Sequence, residues 1–305
     1  MSYLLHEDGQ RIVDDYPGDA SVIYGAFYDK ETDVLEPWRS IPRNIDLSRY
    51  MYIVPGQRRG SAVREYRILY QPTIRPHDNA NCPWSVTLAL YGFIDSMNLS
   101  PTGNWNQTLQ GARTALQWIK LTGGRIRGPF RAQGLALSEV EQHIIGTLRG
   151  CGLPVTDQNA MKRNRQKELK LGRRVFEMVT KQTPPSIPVT GPAAEIDRKW
   201  RITSTVKLGY RQSDMQIKAC GVAKFSPGDF VQTVVKVIAL VQPGKNNTVT
   251  AVNVRFDLVS CIRLLSSKEA KETMSAAVDT PMPVERDENV QNEFHDAMDE
   301  GPDML

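Results

Sequence analysis

The feature that most constrains the fold is an alternation of apolar and polar residues near the C-terminus. In Arg201–Tyr210 and again in Thr248–Leu258, alternate residues are mostly apolar or β-branched. Successive side chains of a strand point to opposite faces, so this alternation predicts strands with one buried face. Two further apolar segments, Gln216–Phe225 and Phe230–Val241, lie between them. The four segments predict an antiparallel β meander, either one layer of a sandwich or a sheet packed on helices.

The first half of the chain combines predicted strands and predicted helices. β-branched and aromatic residues predict strands at Ser21–Asp29, Arg49–Val54, Val63–Tyr70 and Trp84–Ile94. Apolar residues spaced by three and four predict a helix over 106–121. Ser138 and Glu141 have the spacing of a capping box and predict a helix over 138–149. A third helix is predicted from 156 or 157 to 181, with an apolar stripe of Leu171, Val175 and Met178.

These elements predict an α+β fold of mixed helices with an antiparallel β meander or sandwich layer. A proline-rich segment interrupts the pattern after the third helix, and its prolines favour an extended path. The predicted organisation is an α/β region with a basic helix at 1–182, a linker at 183–198, an antiparallel β region at 199–266 and a disordered acidic tail at 267–305.

Charge is distributed unevenly along the chain. The formal net charge is +4, but residues 267–305 hold eleven acidic and three basic residues, which leaves 35 basic and 23 acidic residues in 1–266. A basic body with an acidic tail is typical of a protein that binds polyanions. A solvated tail that only aids solubility is the alternative interpretation.

The sequence favours a protein that stays inside the cell. No stretch approaches 18 consecutive apolar residues, and the first residues do not resemble a signal peptide. Four scattered cysteines, Cys82, Cys151, Cys220 and Cys261, lack the spacing of metal ligands. We therefore expect a reducing compartment, no metal site and no cofactor. The expected location is the host cytoplasm, with nuclear entry as an alternative, and the virion if the protein is viral.

Motifs of the common enzyme classes are absent from the sequence. The phosphate-binding loop, the dinucleotide fingerprint and the motifs Gly-x-Ser-x-Gly, His-Glu-x-x-His and Cys-x-x-Cys do not occur. His143 lies on a predicted helix without a nucleophile linked to it by a motif. The sequence thus predicts no catalytic residue and a non-enzymatic protein, and an enzyme with an unrecognised site is the alternative.

The strongest candidate site is a basic segment within the third predicted helix. Its members are Lys162, Arg163, Arg165, Lys167, Lys170, Arg173 and Arg174. On a helix, Arg163, Lys167, Lys170 and Arg174 would form one stripe, in which like charges repel by about 0.2–0.5 kcal/mol per pair. Phosphate groups of a nucleic acid or of anionic lipid would neutralise such a stripe. A solvated helix face and a bipartite nuclear-import signal are the alternatives.

A second basic group lies within and after the first predicted helix. It consists of Arg113, Lys120, Arg125, Arg127 and Arg131, with Trp105, Trp118 and Phe130 interleaved, and its last three arginines are the predicted secondary patch. Aromatic and basic residues together can stack and hold bases. At helical spacing, however, we interpret Trp105 and Trp118 as core residues.

Three predicted elements follow one another in a recognisable order. They are a basic segment ending in Gly128-Pro129-Phe130-Arg131, a capped helix at 138–149 and an alternating strand at Arg201–Tyr210. This order resembles the matrix proteins of rhabdoviruses, especially those of plant-infecting members. The resemblance implies a non-enzymatic viral structural protein that bridges ribonucleoprotein and anionic membrane and self-associates. On this resemblance, the basic residues 162–174 of the present chain would contact the polyanion. A nucleic-acid-binding, movement or nucleocapsid-type protein is the alternative.

Overall fold

The computed structural model describes residues 1–16, 36–59, 63–74, 83–151, 155–156, 165–181, 183–188, 190–243 and 250–278. The strands in these ranges are β1 (Tyr3–Leu4), β2 (Ser40–Ile41), β3 (Met51–Arg59), β4 (Val63–Tyr70), β5 (Thr87–Asn98), β6 (Leu116–Thr122), β7 (Val155–Thr156), β8 (Glu168–Arg174), β9 (Glu177–Met178), β10 (Trp200–Arg201), β11 (Lys207–Arg211), β12 (Ile217–Ala219), β13 (Phe230–Pro243) and β14 (Thr250–Leu265). The α-helices are α1 (Leu109–Ala112), α2 (Arg127–Gly150), α3 (Pro192–Glu195) and α4 (Ser267–Val278). Short 3-10 turns lie at Ile12–Asp15, Pro37–Arg39, Leu47–Arg49, Pro72–Ile74 and Val222–Lys224.

Five of the strands close into a barrel. β5 pairs antiparallel with β6 and with β13, β6 pairs with β8, and β13 pairs with β14. The ring closes where β14 meets β8 in parallel, at Asp257 and Gly172. If β5, β6, β8, β13 and β14 are numbered 1 to 5, their order around the barrel is 1-2-3-5-4-1. This connectivity is that of the OB fold, a five-stranded Greek-key barrel.

The barrel sheet extends beyond the ring on both sides. β4 joins β13 and carries β3 at the outer edge, while β11 lies parallel to the end of β14 and carries β12. β7 pairs with the start of β14. The α+β class with a mainly antiparallel sheet is confirmed, and the hairpin of β13 and β14 follows the predicted segments. Since β5 pairs with β13, strands from both sides of the predicted linker belong to one sheet.

The main core lies between the inner face of the barrel and helix α2. Along β6 the burial alternates, so that Ile119 and Leu121 are fully buried. Helix α2 covers them with a stripe that includes Phe130, Leu137 and Ile144, each at most 1% exposed. Burying a side chain of this size stabilises the fold by about 1.5–3 kcal/mol relative to leaving it exposed. These contacts hold the strands of the barrel in place.

Helix α2 begins earlier than its capping-box motif predicts. It starts at Arg127, eleven residues before Ser138, and ends at Gly150 as expected. Ser138 lies inside the helix, and its hydroxyl donates to the Gly134 carbonyl at 2.9 Å instead of capping an end. Pro129 occupies the first turn, where a missing N–H costs nothing.

The other two predicted helices of the first half are wrong in their described parts. Within 106–121 the chain forms the single turn α1 and then strand β6. Within 156–181 the structure has strand β8, and residues 157–164 lie outside the described ranges. The physical reason is pairing, because seven consecutive residues of β6 lie opposite seven of β8. Inter-strand hydrogen bonds and inward-facing Leu169 and Leu171 outweigh the local helical spacing.

A second, smaller core lies beside the barrel. It joins the connection between β5 and β6 to the segment that follows β8, through Ala112, Phe176 and Ile202. The described part of the predicted linker packs here, since Ile187 N–H donates to the Ile202 carbonyl at 2.9 Å. This core positions the connection that flanks the outer face of β6.

The start of the predicted acidic tail is structured. Residues 267–278, assigned to a disordered tail from the sequence, form helix α4, and Ala270 is buried against the main core. Residues 279–305 and the predicted strand Ser21–Asp29 lie outside the described residues. Among the helices that the structure describes, none is long and apolar enough to span a membrane.

Candidate nucleic-acid interface

The outer face of β6 and β8 brings aromatic and basic side chains together. Leu169 and Leu171 of β8 point into the barrel, so alternation places Lys170 and Arg174 on the outside. On β6 the same rule turns Trp118 outward, between inward Gln117 and Ile119. Because β6 and β8 are neighbours, their outward side chains share one surface.

Trp118 is the aromatic centre of this surface. It is half-buried, and Nζ of Lys170 lies 5.2 Å from the centroid of its ring, a cation–π contact. Directly opposite Trp118 on β8 stands Gly172, which contributes no side chain beside the ring. The interpretation of Trp118 as a core residue is therefore wrong, since it depended on a helix that the chain does not form.

The outer face forms a groove of about 950 Å³ that continues onto β14. Its lining includes Lys167 and Arg174 from the β8 region, and Asn253 and Arg255 from β14. Leu116 and Trp118 of β6 supply apolar surface on the other side. A groove with an aromatic ring between cations can take a planar ring and the charged groups attached to it.

The positive charge of the groove is only partly compensated. Lys167 and Lys170 are exposed, and neither forms an ion pair within the ranges that the structure describes. Arg255 lies 2.8 Å from Asp257 on the same strand. Lys120, also on β6, is 2.8 Å from Glu168, and this hydrogen bond is the main cause that raises the pKa of the lysine. Lys167 and Lys170 thus remain available to an anionic ligand.

Arg165 has a different role from the polyanion contact predicted for it. Its guanidinium lies 2.7 Å from the Glu141 carboxylate of α2, and both side chains are 8% exposed. It also lies 4.7 Å from the ring centroid of Phe256. A buried charge that is already paired is a poor ligand for phosphate. We assign Arg165 to the support beneath the groove.

The remaining predicted contacts are divided between other places. Arg173 points to the opposite side of β8 from Lys170 and donates a hydrogen bond to the Ser204 hydroxyl. Lys162 and Arg163 lie outside the described residues. The predicted helical stripe therefore does not exist between 165 and 174, and three of its members, Lys167, Lys170 and Arg174, line the groove instead.

The predicted secondary patch lies beyond one end of the groove. Arg125, Arg127 and Arg131 are all exposed, and α2 begins at Arg127 with no acidic residue in its first turn. Positive charge at a helix N-terminus is unfavourable by about 0.3–1 kcal/mol. These arginines come after Thr122, the last residue of β6. Thr122 pairs with Glu168, and Lys167 immediately precedes Glu168. These arginines thus follow the same end of the β6–β8 pair.

Two groove residues, Asn253 and Arg255, were not predicted from the sequence. The alternation in Thr248–Leu258 already turns both outward, because Val254 and Phe256 are buried. The sequence therefore indicated that both side chains face outward, but no local pattern indicates that β14 lies beside β8. In the part of the chain that the structure describes, no three His, Cys, Asp or Glu side chains form a potential metal site.

Comparisons with known proteins give few matches. No protein-family model matches the chain, and no curated protein matches it. One similar solved structure is a single-stranded DNA-binding protein from bacteriophage Enc34 with a C-terminal truncation, at 11% identity over 70% of this chain and 95% of that one, with a TM-score of 0.28. Another is gp2.5, a single-stranded DNA-binding protein encoded by bacteriophage T7, at 10% identity over 59% and 92% of the two chains, with a TM-score of 0.29. At these TM-scores, neither likeness carries an argument about this chain.

Proposed function

We propose that this protein binds single-stranded nucleic acid in the groove on β6, β8 and β14. The observation that carries the proposal is the outward Trp118, with the Lys170 ammonium 5.2 Å from its ring and exposed Lys167 in the lining of the same groove. In OB folds the face formed by the second and third strands is a frequent binding surface for oligonucleotides. Here those two strands are β6 and β8.

The chemistry of the groove favours a single strand over a duplex. An unpaired base can stack on Trp118, and such stacking contributes about 1–3 kcal/mol per base without requiring a particular sequence. In a duplex the bases are already stacked on each other and are not free to meet the ring. Lys170 and, further towards the start of β8, Lys167 would hold phosphates on one side of that base. A strand that leaves the groove past Lys167 heads towards Arg125, Arg127 and Arg131.

The matrix-protein hypothesis stays a prediction, as do membrane binding and self-association. Two elements that carry the resemblance are arranged differently in the structure. Gly128-Pro129-Phe130-Arg131 lies inside helix α2 and does not precede it. The strand predicted at Arg201–Tyr210 is divided between β10 and β11. We therefore base the proposal on the groove and test lipid binding alongside it.

The experiment compares two variants that remove the same charge. Lys167→Gln/Lys170→Gln alters the groove, and Lys268→Gln/Lys271→Gln alters helix α4, which follows the far end of β14. Binding to labelled oligo(dT) is measured by fluorescence anisotropy across a series of salt concentrations. Each lost phosphate contact lowers the log–log salt slope by about 0.7 for a single strand, so the groove variant should lose about 1.4. The α4 variant should retain the wild-type slope.

Three outcomes would count against the proposal. The first is an unchanged slope in a groove variant whose circular dichroism and melting temperature match those of the wild type. The second is a duplex of the same length that competes as well as the single strand. The third is the absence of oligonucleotide binding together with binding to anionic vesicles that the groove variant loses, which would assign the groove to lipid headgroups.

A further inference from the structure

A second pair of aromatic and cationic groups is built on β11, away from the groove. Tyr210 is half-buried, and two cations lie over its ring, Lys224 Nζ at 5.4 Å and Arg263 Cζ at 5.9 Å from the centroid. Lys218 of β12 stands directly opposite Tyr210 in register and is exposed. An aromatic ring with two cations over it and a third on the neighbouring strand repeats the chemistry of the Trp118 groove on different strands.

The geometry of this group is fixed by the barrel. Arg263 pairs with Tyr210 across β14 and β11, and its Nη1 donates to the Lys224 carbonyl at 2.7 Å. The same Nη1 is 4.0 Å from the buried Asp229 carboxylate. Arg263 is therefore anchored and partly neutralised. Lys218 and Lys224 are exposed and form no ion pair within the ranges that the structure describes.

The Tyr210 group and the groove lie on opposite sides of the sheet. Leu208, two residues before Tyr210, pairs with buried Cys261, so Tyr210 shares the inward side of β14. Arg255 of the groove lies on the outward side. Arg255 and Arg263 are roughly 26 Å apart along β14, at about 3.3 Å per residue. A ligand in the groove must therefore continue around the sheet to reach Tyr210.

We propose that Tyr210, Lys218 and Lys224 form a second contact for single-stranded nucleic acid, which only strands longer than the groove can reach. The inference rests on the proposed function, because it extends the path of the same ligand. It predicts two length classes of ligand. Strands of about 6 nucleotides occupy the groove alone, and strands of about 25 nucleotides, longer than the 4–16 that one OB fold covers, engage both contacts.

The test measures two oligonucleotide lengths against three variants. Lys218→Gln/Lys224→Gln removes two exposed charges of the second contact, Tyr210→Ala removes its ring, and Lys167→Gln/Lys170→Gln alters the groove. Oligo(dT) of about 6 and about 25 nucleotides is titrated by anisotropy. We expect both changes at the second contact to leave the dissociation constant of the short strand unchanged. For the long strand, the constant should rise about 5- to 10-fold, and the lysine variant should lose about 1.4 of the salt slope.

The outcomes separate this inference from the proposed function. If the groove variant weakens both lengths while Lys218→Gln/Lys224→Gln weakens neither, the groove stands and the second contact is overturned. If Lys218→Gln/Lys224→Gln weakens both lengths equally, the length dependence is wrong and the inference fails. If the wild type binds neither strand, both proposals fail. Loss of binding to anionic vesicles in the lysine variant, with unchanged binding of the long strand, would assign this face to lipid and overturn the inference.

Discussion

Glu141 and Arg165 form an ion pair beneath the groove, with Oε2 of the glutamate 2.7 Å from Nη2 of the arginine. Glu141 belongs to α2, and Arg165 precedes β8 by three residues. The guanidinium also packs on Phe256 of β14. Gly134 of α2 approaches so closely that an added Cβ would lie 2.5 Å from the Arg165 carbonyl oxygen. One buried pair thus ties α2 to the two strands that form the floor of the groove.

We predict that Glu141→Gln destabilises the protein by about 3–5 kcal/mol, because it leaves the Arg165 charge buried without its counter-charge. Urea denaturation gives the free energy of unfolding. The double variant Glu141→Leu/Arg165→Met, which removes both charges, should recover much of the loss. A loss below about 1 kcal/mol in Glu141→Gln would contradict a structural role for the pair.

A second prediction concerns the space beside Trp118. Gly172 stands opposite this ring, and an added Cβ would lie 3.3 Å from the Gln117 carbonyl oxygen and 3.5 Å from Trp118 Cβ. The approach to the Gln117 carbonyl is tight, so the two strands must shift by a few tenths of an ångström to admit a side chain. We expect Gly172→Val to fold with some loss of stability and to fill part of the groove with its methyl groups. We expect the affinity for oligo(dT) to fall while the salt slope stays at the wild-type value, because no charge is removed.

Gly172→Ala is the matched control for that prediction. Its single methyl group meets the same two atoms but extends no further into the groove. It should bind more tightly than Gly172→Val. Equal affinities for both variants and the wild type, measured by anisotropy, would mean that the ligand does not lie beside Trp118.

Much of the sheet could be predicted from local patterns. Strand β4 has the predicted bounds Val63–Tyr70, β13 contains its predicted segment, and β14 covers the described part of its predicted segment, from Thr250 onward. Strands β6 and β8 could not be distinguished from helices in this way. Leu109, Ala112 and Leu116 fit helical spacing, and what decides the structure is the pairing of β6 with β8, about fifty residues apart in sequence. Such pairing is not visible in a window of ten to twenty residues.

The candidate site was predicted in part despite the wrong secondary structure. Lys170 and Arg174 are four residues apart, and residues at that spacing share a face on a helix and also on a strand. Their common surface therefore does not depend on which of the two forms. Trp118 was misassigned because the outward face of β6 is defined only by the closed barrel. Arg255 joins the groove for the same reason.

The two capping-box motifs show how local signals compete with packing. Ser138 and Glu141 have the motif but lie inside α2, because the preceding turns also bury Phe130 and Leu137. Ser266 and Glu269 have the same spacing and do cap α4. The Glu269 carboxylate accepts from Ser266 N–H at 2.7 Å, and the Ser266 hydroxyl accepts from Glu269 N–H at 3.3 Å.

This cap leads to a prediction for pH. The hydrogen bonds from Ser266 hold the pKa of Glu269 below its usual 4.5, with a smaller contribution from Arg263. A carboxylate whose pKa is lowered by folding contributes stability above its unfolded pKa, and that contribution is lost as the pH falls through the folded value. We expect the wild type to exceed Glu269→Gln in unfolding free energy at pH 7. The difference should shrink as the pH falls through the lowered pKa of Glu269.

Urea titrations of both proteins from pH 7 to pH 3 measure this difference. Glu272→Gln is the matched control, because Glu272 is exposed on the same helix and its ion pair with Lys268 spans 3.9 Å. Its effect on stability should be small at every pH. A difference between wild type and Glu269→Gln that persists unchanged at pH 3 would mean that the charge of Glu269 does not support the cap.

The last prediction separates stacking from charge in the groove. Trp118→Ala should weaken the binding of oligo(dT) by about 5- to 150-fold, the equivalent of about 1–3 kcal/mol for one stacked base. Trp118→Phe should retain much of the affinity, because a smaller ring still offers a face for stacking. Neither change removes a charge, so the salt slope should equal that of the wild type. Lys167→Gln/Lys170→Gln, in contrast, should lower the salt slope, because it removes two charges.

Tryptophan fluorescence gives an independent measurement of the same contact. Oligo(dT) should quench the emission of the wild type, and Trp118→Phe should lose that quenching while it still binds in anisotropy. The control is Trp84→Phe, since Trp84 packs edge-on against Trp38 with centroids 5.4 Å apart, away from the groove. It should keep both the affinity and the quenching. If Trp118→Ala binds as tightly as the wild type, no base stacks on Trp118, and the proposed groove is not the binding site.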